Sequence, residues 1–216
     1  MNKRSLLRNS LLMGVALTAL LGGACTPNNA EKSETAARNE VIETILSRRS
    51  IRKYKDIPVN RDTMQVILNC GINAPNGMNK QSWEVRVVDH PDFINGITDV
   101  YKQVHPDVAK DTGFKNMFRN APTVVFIAHD SSYDCSQIDC GLLGENMILS
   151  AWSMGIGSCC LGGPMRFMKS EPNAAEYLKR LGFSEGYELL YCIAFGYPDE
   201  SPAAKPRDMA KVKFVE

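Results

Sequence analysis

With 216 residues, 44% of them hydrophobic, the chain has enough apolar material for one well-cored domain and too much for a disordered or fibrous polymer. Lysine and arginine total 25 against 24 acidic residues, so no bulk basic field points to nucleic acid. The three histidines, His90, His105 and His129, form no ligand pair at helical spacing, and no metal site is expected.

In chain order the first feature is an export signal. Lys3, Arg4 and Arg8 make a positive start, and residues 11–21 are an apolar run. Such a run fits the roughly 7–15 residues of a signal's apolar region and falls short of the ~20 that span a membrane. "LGGAC" at 21–25 resembles a bacterial lipobox, which implies lipidation of Cys25 and a membrane-anchored lipoprotein of a bacterial envelope, on the periplasmic side or cell surface. Gly22 replaces the usual branched residue, so ordinary signal-peptidase cleavage after Ala24 is the alternative. Residues 1–24 therefore read as a signal peptide, 25–38 as the lipidated cysteine and a polar tether, and 39–216 as the folded domain. The signal holds three cations and no acid, leaving 22 cations to face 24 acids in a nearly neutral mature chain.

Asn39 is an N-cap candidate, with Glu40 and Glu43 in the first turn and Val41, Ile42, Ile45 and Leu46 at helical spacing. "RRSIRKYK" at 48–55 follows, five cations in eight residues: either a solvated helix end or a clamp for a phosphate. Pro58 and Asn60 open a second helix that ends near 71–75, and residues 82–89 alternate as a strand does. Residues 91–105 read as a helix and 106–120 as an irregular excursion. "PTVVFIAH" at 122–129 is a strand buried on both faces. Residues 135–154 form a long helix whose Leu142, Leu143, Met147, Ile148, Leu149 and Trp152 spread apolar character around most of its circumference. It requires burial in the core or against a second subunit. A short strand at 157–162, a helix near 174–181 and a strand at 187–198 complete an α/β or α+β domain with one sheet.

Walker A, G-x-S-x-G, H-E-x-x-H and a full G-x-G-x-x-G are absent; "GIGSCCLGG" at 155–163 has Cys160 where the third glycine belongs. Six cysteines follow Cys25 without a framework spacing, and most read as small buried residues. Three stretches remain. "APNGMNKQSW" at 74–83 sets the amides of Asn79 and Gln81 just before a strand, suited to a heterocycle edge. "GIGSCCLGG" exposes backbone N–H groups to close approach, and "KPR" at 205–207 adds two cations.

Together, and in this order, "RRSIRKY", "APNGMNKQSWEV", "GIGSCCLGG" and "GYP…KPR" resemble the FMN-dependent nitroreductase family over residues 41–207. The resemblance implies a single central mixed sheet surrounded by helices, in a homodimer whose C-terminal extension reaches the partner. It implies FMN at the subunit interface, reduced by NAD(P)H and reoxidised by a nitroaromatic, quinone or related acceptor in a ping-pong cycle. Carried over by position, Arg48, Arg49, Ser50, Arg52, Lys205 and Arg207 hold the FMN phosphate and ribityl chain, and Asn79 and Gln81 contact the ring or ribityl chain. Cys160, Leu161, Gly162 and Gly163 lie against the flavin, with a backbone N–H near its reactive nitrogen. Gly162 stands where many relatives carry an acidic residue, and no side chain is expected to be a catalytic acid or base, because FMN carries the chemistry. Phe114 and Phe118, in the excursion, are expected on the substrate pocket wall. An exported chain is separated from cytoplasmic NAD(P)H, which leaves a second reading: a flavin-binding lipoprotein that relays electrons from another donor.

Overall fold

The structure, a computed structural model, describes residues 39–216; the expected export signal, the lipidation of Cys25 and the tether lie outside the described residues. Helix α1 spans Glu40–Ser47 and starts where expected, Asn39 accepting the N–H groups of Val41 and Ile42 at 3.1 Å. Helix α2, Arg61–Ile72, is capped by Asn60, and strand β1 runs Trp83–Val88. Helix α3, Pro91–Val104, precedes the excursion, and strand β2, Thr123–Asp130, follows it. Helix α4 spans Ser136–Ser153 and strand β3 Gly157–Leu161. Helix α5, Gly163–Ser170, was not expected, and α6, Ala175–Arg180, leads to strand β4, Tyr187–Gly196.

The sheet order is β1-β2-β4-β3 and every ladder is antiparallel. The mixed character expected of it is confined to one parallel bridge, Ser50 with Ser158 at the outer edge of β3. Strand β2 is buried on both faces because helices cover both sides. Val125 and Ile127 face α2 and α4 with Met64, Ile67, Leu143 and Met147. Val124 and Phe126 face the other layer with Phe93, Ile97 and Met168. The period of two along the strand thus sorts one apolar run into two cores.

Phe118 corrects an expectation. It is fully buried in the second core, edge-on to Phe126 at 5.7 Å between ring centroids, and does not line a pocket. Helix α4 buries one face of its apolar circumference, whereas Ile138 and Leu142 on another face are exposed. The exposure of α1 is more complete: none of its residues is buried, and Leu46 is 71% exposed.

Candidate functional site

The basic segment is held in place by backbone pairing. Ile51 donates its N–H to Ser158 at 2.9 Å, Lys55 to Tyr197 at 2.9 Å, and Asp199 donates back to Lys53 at 3.0 Å. Residues 51–55 are therefore zipped between β3 and the extension of β4. Two glycines make room for this. A Cβ at Gly157 would stand 2.7 Å from the Ile51 side chain, and one at Gly196 would stand 2.8 Å from the Tyr54 ring. Burial pushes the Tyr54 hydroxyl far above its ordinary range, so it stays a neutral donor to the Ile51 carbonyl at 2.5 Å. Glu200 accepts the N–H groups of Arg52 and Lys53, fixing the start of the C-terminal segment on the same stretch.

This pairing sets Arg52 and Lys53 on the rim of a cavity of about 990 Å³, at the top of the range for ligand pockets. Cys160, Leu161, Gly162 and Gly163 line it where β3 runs into α5. No side chain caps the first turn of α5, and nothing lies within 4 Å of where a Cβ at Gly163 would be. Free backbone N–H groups at a helix start carry partial positive charge. The lining also holds an aromatic cluster, Tyr101, His105, Phe114 and Phe167, with Tyr101 stacked on Phe114 at 6.0 Å and edge-on to Phe167 at 4.9 Å.

The two adjacent thiols face opposite sides of β3, as alternation requires. Cys159 packs in the core with Leu161 and Cys192, and Cys160 is exposed. Burial pushes the Cys159 thiol up, an effect reduced by the charges of Arg52, Arg119 and Arg48. Cys160 opens on the cavity yet is surrounded mostly by protein, and that desolvation pushes its thiol up to about 11. The six cysteines of the described residues are all free.

The remaining expected residues are distributed unevenly. Arg48 leans toward Glu145 of α4 at 3.8 Å, on the Cys160 side of β3. Arg49 turns back and donates to the Leu46 and Arg48 carbonyls at 2.8 Å, capping α1 as a solvated helix end would. Ser50 forms the bridge to Ser158. Lys205 and Arg207 lie in the exposed C-terminal segment, and Arg207 hydrogen-bonds the Lys205 carbonyl at 3.3 Å. Asn79 and Gln81 precede β1, on the sheet edge opposite β3, three ladder spacings or about 14 Å away. Both take left-handed φ values, 53° and 51°. Buried Asp139 holds their loop, accepting the Gly77 N–H at 3.0 Å and the Ser82 hydroxyl at 2.7 Å.

A family model described as the nitroreductase family matches residues 45–197. The chain belongs to the nitroreductase family. Among curated proteins, an NADPH-flavin oxidoreductase of Vibrio harveyi is 30% identical over 194 residues, covering 82% of this chain and 74% of that protein. Two crystal structures of nitroreductases with bound FMN are each 28% identical and cover 83% of this chain and 100% of theirs. One, from Desulfitobacterium hafniense, superposes with a TM-score of 0.72. The other, from Bacteroides fragilis, has a TM-score of 0.68.

Within this nitroreductase-family chain, sequence reasoning missed Tyr101, His105, Arg119, Arg166 and Phe167 as cavity residues. Tyr101 and His105 were legible as one helix face at i, i+4, His105 standing as the C-cap of α3. Arg166 and Phe167 were not, because their helix follows a Gly-Gly-Pro stretch that reads as a turn.

Proposed function

We propose that the chain is an FMN-dependent oxidoreductase that takes reducing equivalents from NAD(P)H and delivers them to a nitroaromatic, quinone or related small acceptor. The observation that carries this reading is the cavity where Arg52, the open Cys160–Gly163 backbone and an aromatic cluster meet at the end of β3. These residues fit a flavin: cations for a phosphate, side-chain-free backbone for close approach to a planar ring, and apolar walls that exclude water. Bound there, FMN supplies the hydride and electron transfer.

The chain's own residues bind and orient. Arg52 grips phosphate oxygens, joined by Arg48, Ser50, Lys205 and Arg207; the planar guanidinium fork suits that geometry. The Leu161–Gly163 N–H groups face the ring and favour negative charge there without a titrating side chain. Phe114 lines the acceptor end. Asn79 and Gln81, on the far sheet edge of one chain, reach a ring bound at β3 when a second copy supplies them. The exposed apolar faces of α1 and α4 support this homodimer. Export and anchoring through Cys25 are part of the same proposal and put the site outside the cytoplasm, where the donor would have to be available.

Titrating FMN into the protein while following flavin fluorescence tests the site. Arg52→Ala and Arg48→Ala should each weaken binding at least about tenfold, the size expected for a charge-assisted hydrogen bond. Unchanged affinity in both variants together would return the basic segment to a helix end and sink the assignment.

A further inference from the structure

Four cations line the cavity, Arg52, Lys53, Arg119 and Arg166, against one carboxylate, Asp111. The first two belong to the basic segment and have their backbone N–H groups engaged by Glu200. Asp111 is taken up locally, its carboxylate closing a turn by accepting the Gly113 N–H at 2.8 Å. The guanidinium groups of Arg119 and Arg166 make no hydrogen bond or ion pair among the described residues, the Arg166 backbone N–H alone donating to the Gly162 carbonyl at 3.1 Å. Two guanidinium groups therefore line a cavity with an aromatic cluster and no carboxylate paired to them, which points to an anion brought in by a ligand.

Their placement is built rather than incidental. Arg119 and Asn120 are consecutive residues with φ of 60°, a conformation that bulky side chains rarely adopt. The loop around them holds it. Asn120 accepts the N–H groups of Lys115 and Asn116 at 2.9 and 3.0 Å and donates to the Gly113 carbonyl at 2.7 Å. Asn116 accepts the Phe118 N–H at 2.9 Å and donates to Ala121 at 3.1 Å, while Phe118 anchors the loop in the core. Arg166 comes from the first turns of α5, with a guanidinium nitrogen 3.7 Å from where a Cβ at Gly162 would sit. It thus overlies the backbone assigned to the flavin ring. Between the two arginines stand Tyr101, Phe114 and Phe167 of the lining, suited to flat apolar surface.

We propose that Arg119 and Arg166 read an acidic group on the acceptor, selecting a planar aromatic molecule that carries a carboxylate or comparable anion over its uncharged analogue. This rests on the flavin reading of the same cavity and names the acceptor class within it.

The test uses the protein with FMN supplied and compares 4-nitrobenzoate with methyl 4-nitrobenzoate by titration calorimetry, in the wild type and in Arg119→Ala, Arg166→Ala and the double variant. The carboxylate should bind about tenfold or more tightly than the ester in the wild type, with the ratio falling as salt is raised. The ratio should drop to about one in the double alanine variant and be partly kept in Arg119→Lys with Arg166→Lys. Equal binding of acid and ester by the wild type, or a ratio unchanged in a double variant of native circular dichroism, overturns the proposal. A parallel arm compares NADPH with NADH. Loss of discrimination between these nucleotides with the carboxylate preference intact would assign the arginines to a donor phosphate, and that too overturns it. Failure to take up FMN counts against the flavin reading alone, because the acid–ester ratio is read on the chain itself.

Discussion

At the scale of single residues, Cys160 shows how position and reactivity part company. It opens on the cavity, but its surroundings desolvate the thiolate, and the group stays protonated at neutral pH. The thiolate is the nucleophile, so alkylation at Cys160 should keep rising about tenfold per pH unit through pH 9 and level off only near the raised value. Iodoacetamide labelling followed by peptide mapping across pH 7–11 checks this; a plateau near the ordinary 8.5 would contradict it. The neighbouring Cys159 faces the core, so joining the two sulfurs would break the alternation of β3. The adjacent pair is therefore read as two independent thiols, Cys159 buried and Cys160 exposed, both of which touch the cavity.

At the scale of elements, the glycines of "GIGSCCLGG" do separate tasks. Gly155, with φ of 74°, ends α4 in the left-handed region, Gly157 lets Ile51 pack onto β3, and Gly162 and Gly163 leave the backbone open to the cavity. Gly157→Ala should push Ile51 outward, shift the adjoining Arg52 and cost about 1–3 kcal/mol, as overpacking does. Urea unfolding and FMN affinity should fall together; a loss of affinity at unchanged stability would place the glycine at the ligand instead. The sequence signalled most elements because their cues are local: Asn39 and Asn60 as caps, alternation in β1, the apolar run of β2. Helix α5 was hidden by Gly-Gly-Pro, although proline is well accommodated in a first helical turn. Phe118 was misplaced because an aromatic in an irregular segment gives no periodicity to show which way it faces. Arg119 was missed for a related reason, since its left-handed backbone is imposed by Asn116 and Asn120 and not by its own residue type.

At the scale of the whole molecule, the residues proposed to hold the flavin lie at opposite sheet edges of one described chain, and apolar side chains stand exposed on its surface. Arg52 and the β3–α5 backbone stand at one sheet edge, Asn79 and Gln81 at the other. Val41, Ile42, Ile45 and Leu46 of α1 are exposed together, as are Val212, Phe214 and Val215 near the C-terminus. Contiguous exposed apolar surface of this kind marks an interaction site. Ile42→Lys with Leu46→Lys should convert a dimer to a monomer in light scattering and reduce FMN affinity in parallel. A monomeric wild type that binds FMN tightly would contradict the two-chain site. The proposed meeting of Asn79 and Gln81 with the basic segment rests on family resemblance, because nothing in a single chain's pattern records which residues meet across a subunit boundary.

The central claim is that this cavity holds a flavin reducible by a nicotinamide, and an anaerobic visible spectrum tests it most directly. Protein lacking residues 1–25, with FMN supplied and the excess removed, is titrated first with NADPH and then with NADH before a nitroaromatic is added. A retained flavin band that one of the nucleotides bleaches and the acceptor restores is expected. A retained band that neither nucleotide bleaches, or no retained band at all, would contradict it.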